Sequence, residues 1–254
     1  MLEVRAEFEK ELTARGLAFE FDAESDRYRV QIEDFEMMVN LDNVARDVEA
    51  NGDLQRVSRF VDAIIETAQH PDDAIVAENL YWSLEPNDYD PPADIRVSLS
   101  KCVDRVLVHI SPGGRTIRWV TPEMLAKIEL SPDEAGAIAF ANLDRALAAA
   151  TFEAQSVEEA KLGYFVTDFP FKAALLLAPT LREIVEPTIG WPLMAVAPDR
   201  DFLYLWAAQF DELAGRVGPV AVREFTNASY PISTEVWKID EDKIKAIGAF
   251  PTDS

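Results

Sequence analysis

The sequence predicts an α+β protein of two mixed units, each a small, mainly antiparallel sheet packed with helices. Three observations carry this. Short alternating apolar runs flank polar turn clusters, which is the pattern of hairpins. Amphipathic stretches with helical spacing are interleaved with them. Residues 85–94, EPNDYDPPAD, put three prolines and four acids into ten positions, a linker composition that divides the chain into an N-terminal acidic unit, 1–84, and a C-terminal unit, 95–254.

The elements follow in order. Leu2, Ala6, Phe8 and Leu12 recur at near-helical spacing, and Gly16 is placed to end that helix in a left-handed turn. Residues 17–32 alternate on either side of Asp22–Asp26 and read as a hairpin. Residues 36–41 read as a third strand running into a helix capped by Asn40 or Asp42. Leu54, Val57, Phe60, Val61, Ile64 and Ile65 follow the i, i+3, i+4 rule and predict a helix over 53–68. Beyond the linker, 106–110 and 116–120 flank Ser111-Pro112-Gly113-Gly114-Arg115 and form a second hairpin.

Thr121-Pro122-Glu123 starts a short helix, with Thr121 as N-cap and Pro122 in the first turn. Ser131-Pro132-Asp133-Glu134 is a capping box opening a longer one. Strands are expected at 163–166 and 192–196, with an apolar helix from about 170 to 185 between them. Phe210, Leu213, Ala214 and Val217 share one helical face, and Gly218-Pro219 should break or kink it. Residues 237–239 and 244–247 close the chain as a strand pair around an acidic turn.

Composition bounds function. The 254 residues are 48% hydrophobic and carry a net charge of −22. Residues 1–100 hold 24 acids and 9 bases, a net −15, against 22 and 15, a net −7, over 101–254. Such a surface repels phosphates and anionic lipid, which argues against nucleic-acid and membrane partners and favours a basic protein or peptide. No apolar run approaches the ~20 residues needed to cross a bilayer. The N-terminus lacks the apolar core of a secretory signal, and a single cysteine, Cys102, excludes an internal disulfide. The expected compartment is the cytoplasm.

Candidate chemistry is sparse. His70 and His109 have no metal-binding spacing, and with one cysteine no metal or cofactor site is expected. His70 reads as a solvated histidine past a helix end, His109 as a strand histidine, and Cys102 as a small core residue. Gly113-Gly114 reads as a turn and not a phosphate loop, because no helix start follows it. The acid pairs Asp72-Asp73 and Glu158-Glu159 suit helix starts or loops. What stands out is Asp199-Arg200-Asp201, placed after Pro198 between the apolar runs 194–196 and 202–206. A type I turn centred on Pro198-Asp199 explains the composition. Alternatively, two carboxylates beside a guanidinium form a small charged site. Asn142 lies on the apolar side of its helix, where it must find hydrogen-bond partners, and so reads as a brace for a neighbouring loop. Tyr230-Pro231 holds the backbone extended before the last strands.

Several of these segments fall into a known pattern. Ala197-Pro198-Asp199-Arg200-Asp201, Ser229-Tyr230-Pro231-Ile232-Ser233, the stretch from Leu130-Ser131-Pro132-Asp133-Glu134-Ala135 to Ala141-Asn142-Leu143, and Val39-Asn40-Leu41-Asp42-Asn43 leading into Arg59-Phe60-Val61 occur in that family's order along the chain. Together they resemble the uncharacterised bacterial family that includes YtpQ. The resemblance implies no reaction. It marks Asn142, Arg200, Asp201, Tyr230 and Pro231, with Asp199 standing where the family commonly has asparagine. The function expected from residues and resemblance together is a non-enzymatic protein-interaction module with an acidic surface. The alternative is a hydrolase or small-ligand-binding enzyme with its site near Asp199, Arg200, Asp201, Asn142 and Tyr230.

Overall fold

The computed structural model describes residues 2–23, 26–33, 35–69, 75–88, 95–111, 117–241 and 243–252. His70, Asp72-Asp73, the turn at Gly113-Gly114 and residues 89–94 of the expected linker lie outside the described residues. The fold is α+β, with two compact units: Met1–Asp73 with Asn227–Ser229, and Ala74–Thr226 with Tyr230–Ser254.

The first unit contains helix α1 (Leu2–Ala14), strands β1 (Ala18–Asp22), β2 (Arg27–Ile32) and β3 (Phe35–Val39), and helices α2 (Asp42–Asn51) and α3 (Gln55–Gln69). The strands form an antiparallel sheet in the order β1-β2-β3. Strand β2 alternates exposed and buried residues without exception. Its Tyr28, Val30 and Ile32 therefore all reach one core with Phe8, Leu12, Val57 and Val61. Gly16 ends α1 at φ +71°, and the Leu17 amide donates to the Leu12 carbonyl. The cap of α2 differs from expectation: Leu41 occupies that position without a side-chain bond.

The second unit is built on two sheets. Strands β4 (Leu80–Pro86), β5 (Arg96–Ser98), β6 (Val103–Ile110) and β7 (Ile117–Trp119) form one, with β6 pairing all three others. Helices α4 (Pro122–Lys127) and α5 (Pro132–Ala149) follow. The Thr121 cap and the Ser131–Glu134 capping box both form as expected. Strands β8 (Thr151–Val157), β9 (Ala160–Val166), β10 (Leu193–Val196), β11 (Tyr204–Ala207), β12 (Glu235–Asp240) and β13 (Lys243–Ala249) make a six-stranded sheet in the order β13-β12-β10-β11-β9-β8. One face of it, through Leu193, Ala195, Trp237 and Ile239, shares a core with Leu80, Trp82 and Leu107 of the other sheet and with α5. The opposite face, through Met194, Val196 and Trp206, packs on helix α7 (Leu213–Asn227).

Three expectations change. The linker reading fails at its start, because β4 runs through Glu85 and Pro86 and pairs with β6 over seven positions. The unit boundary therefore falls at Asp73–Ala74 and not at residue 84. The helix expected over 170–185 is a 3₁₀ turn, Lys172–Leu177, followed by α6 (Leu181–Ile189). Pro179 separates them, holding Ala178 extended at ψ 127°. Conversely, Pro219 does not break α7. Its neighbour Gly218 is required for packing, since a Cβ there would lie 2.8 Å from the Phe250 ring.

Candidate functional site

The Asp199-Arg200-Asp201 segment joins β10 to β11, which pair antiparallel as expected. The bonded turn sits two residues later than the composition indicates: the Phe202 amide donates to the Asp199 carbonyl, so Arg200 and Asp201 are central. The Asp201 amide donates to the Asp199 side chain at 2.7 Å, the asparagine-like turn bond that aspartate supplies. Asp199 also bridges to Pro231, and the Ile232 amide donates to the Pro198 carbonyl. The two stretches singled out from sequence, 197–201 and 229–233, are therefore neighbours.

Arg200 points inward. It is 8% exposed, and its Nη2 donates to both oxygens of Glu85, at 2.8 Å each. Glu85 is 3% exposed and also accepts from the Ser83 hydroxyl at 2.7 Å. The guanidinium lies 4.5 Å from the centre of the Tyr230 ring and 5.7 Å from that of Phe171. Cation–π attraction thus adds to the ion pair. Directly across the β4–β6 ladder, Asp104 faces Glu85. Two like charges opposed in this way destabilise a sheet unless each is compensated. Here Arg96 on β5 donates to Asp104 at 3.3 Å, so each buried carboxylate has its own arginine.

The flanking aspartates remain nearer the surface. Burial raises the Asp199 carboxyl above its ordinary value, joined by the charge of Asp201 and opposed by the backbone amides of Asp201 and Tyr230 and the charge of Arg200. Burial pushes Asp201 the same way, opposed by Lys172 and Arg200, but its surface is exposed and solvent moderates the effect. Among the described residues, the clefts lined by Ser98–Lys101, by Tyr81 with Arg145 and by Glu7 with Arg59 do not include residues 199–201. Among the described residues there is also no group of three His, Cys, Asp or Glu side chains placed to hold a metal ion.

Asn142 belongs to a different place. Its amide nitrogen donates to the carbonyls of Ala77, Glu78 and Leu80, at 3.0, 3.1 and 2.7 Å. It braces the start of β4, as its position on an apolar helix face requires. Glu85 lies five residues further along that strand, about 17 Å away, so Asn142 is not part of the Arg200 cluster. Tyr230 is. His109 is buried, and its Nε2 accepts from the Val76 amide. Cys102 corrects expectation: it is exposed, in the loop that leads into β6.

Sequence reasoning missed Glu85, Ser83, Asp104, Arg96 and Phe171. For Glu85 one signal existed: it continues the period-two pattern of Leu80-Trp82-Leu84 on the alternate face. No known family, curated protein or solved structure compared with the chain matches it.

Proposed function

We propose that this protein is a non-enzymatic binding protein that engages a basic protein or peptide through its N-terminal unit. The observation that carries this is the distribution of charge. Met1–Asp73 contains 19 acidic and 8 basic side chains, a net −11 in 73 residues. The remaining 181 residues, with 27 and 16, carry the same net charge on far more chain. Within the first unit, Arg5, Lys10, Arg15, Arg29, Arg56 and Arg59 are each ion-paired to acids of that unit. Those six bases engage eight of the 19 acids, so most of the excess resides in the other carboxylates and attracts cations over a Debye length.

Support for a non-enzymatic reading also comes from the turn. The guanidinium that would hold an anionic substrate is already committed to Glu85. The similarity to the YtpQ family, which we retain as a proposal, adds no reaction. The test is titration of the protein with a fluorescent lysine- and arginine-rich peptide at several salt concentrations. The expected result is saturable binding that weakens steeply with salt, and a loss of at least about tenfold in a Glu3→Lys/Glu33→Lys variant, at two exposed carboxylates outside those pairs. Binding indifferent to salt, or unchanged in that variant, overturns the proposal.

A further inference from the structure

The second unit contains a buried carboxylate of a different kind. Glu235, at the start of β12, is 7% exposed and borders a cleft of about 590 Å³, within the size range of small-molecule sites. The Ser100 hydroxyl donates to its Oε2 at 2.5 Å. That hydroxyl in turn accepts the backbone amides of Cys102 and Val103, at 3.1 and 3.0 Å, which fixes its direction. Among the described residues no lysine, arginine or histidine forms an ion pair with Glu235. A buried carboxylate lacking a counter-charge is costly, and such a cost is retained where a cation arrives from outside.

The remaining walls specify what kind of cation. Ile244 and Ala246 supply an apolar strip from β13, and Lys101 lines the same cleft. Its charge is close enough to act on the neighbouring Cys102 thiol, so a simple cation would be repelled there. Lys245 alternates to the other face of β13. A molecule with a cationic end for Glu235 and an anionic end for Lys101 matches both charges. We propose that this cleft binds a small zwitterion, with an ammonium group on Glu235, a carboxylate at Lys101, and an aliphatic body on Ile244 and Ala246. The site lies outside the N-terminal unit, and it stands or falls independently of the acidic-surface reading.

Cys102 provides the readout. It is the chain's single cysteine, it is exposed, and it neighbours Glu235. Its thiol is held above the ordinary value by burial first, and then by the charge and hydrogen bond of Glu235. The experiment measures the rate of Cys102 modification by a soluble disulfide reagent at pH 8, with 6-aminohexanoate, hexylamine or hexanoate added to the full-length protein. 6-Aminohexanoate should slow modification saturably, while hexylamine and hexanoate do so far less. In Glu235→Gln the unprotected rate should rise, and affinity for 6-aminohexanoate should fall by more than about tenfold, the scale of a lost charged hydrogen bond. Lys101→Gln, at an exposed position, should weaken it by about threefold. That variant keeps the test valid if Glu235→Gln disturbs folding. Absence of saturable protection, equal protection by hexylamine, or unchanged affinity in both variants overturns the proposal.

Discussion

Glu85 and Glu235 are two buried carboxylates in one unit, and they differ in compensation. Glu85 is met by Arg200, a serine hydroxyl and two aromatic faces around that arginine. Glu235 is met by two neutral groups, the Ser100 hydroxyl and the Cys102 thiol, and faces a cleft. The comparison teaches that burial of a charge does not by itself mark a functional group. A carboxylate whose charge is balanced within the fold is a structural bracket. One whose charge is left unbalanced beside open space is positioned for a ligand. By this criterion the conspicuous charged turn is structural, and the inconspicuous strand end is the candidate site.

The comparison is broken most directly at Arg200. An Arg200→Met variant leaves Glu85 buried and unpaired, and should lose about 3–5 kcal/mol in urea denaturation. A Glu85→Met/Arg200→Met double variant should recover most of that loss, because the apolar replacement removes both desolvation costs. If the single variant costs under about 1 kcal/mol, the pair is not the bracket described here. Next in size is Asn142, the buried but uncharged counterpart. Asn142→Leu removes the bonds to the carbonyls of Ala77, Glu78 and Leu80, the first two of which keep a second donor in the Leu80 amide and Arg145, and should cost about 1–3 kcal/mol by the same measurement.

These two residues also show how far the sequence could be read. Asn142 was legible because a polar residue on an apolar helix stripe has one explanation, and that explanation is local. Hairpins and capping boxes were legible for the same reason: their signals span ten residues or fewer. Arg200 was seen, but its role was not, because its partner Glu85 is 115 positions away. Glu85 was itself concealed by the prolines and acids that follow it, which gave the end of β4 a linker's composition. Pairing of β4 with β6 overrode that composition. Glu235 gave no sign at all, since its character depends on which cations fail to reach it.

At Glu235 the comparison predicts the opposite sign. Removing an uncompensated buried charge should not destabilise the fold, so Glu235→Gln should match the wild type or gain about 1 kcal/mol in urea denaturation. It should do so while weakening the affinity of 6-aminohexanoate, read by protection of Cys102, by more than about tenfold. A loss of stability as large as that of Arg200→Met would place Glu235 with Glu85, as a bracket, and would remove the basis for distinguishing them.

The smallest effect is expected where a carboxylate is compensated but exposed, at the capping box of α5. Glu134 accepts from the Ser131 hydroxyl and backbone amide, and these two bonds hold its carboxyl below the ordinary value of 4.5. A depressed folded-state value means that this group's contribution is fully present above the ordinary value. It is lost as pH falls through the lowered one. As the N-cap, Ser131→Ala should cost about 0.5–1 kcal/mol at neutral pH, the low end for that position. Part of that difference should shrink as urea denaturation is repeated at successively lower pH below 4.5, where wild-type Glu134 becomes protonated and loses its bond to Ser131. The bond from Ser131 to the Glu134 amide does not titrate, so a residual difference should persist in acid. A Ser131→Ala cost that is constant across this range would mean that Glu134 contributes nothing through its charge. In that case surface compensation, unlike the buried compensation of Glu85, leaves no trace in stability.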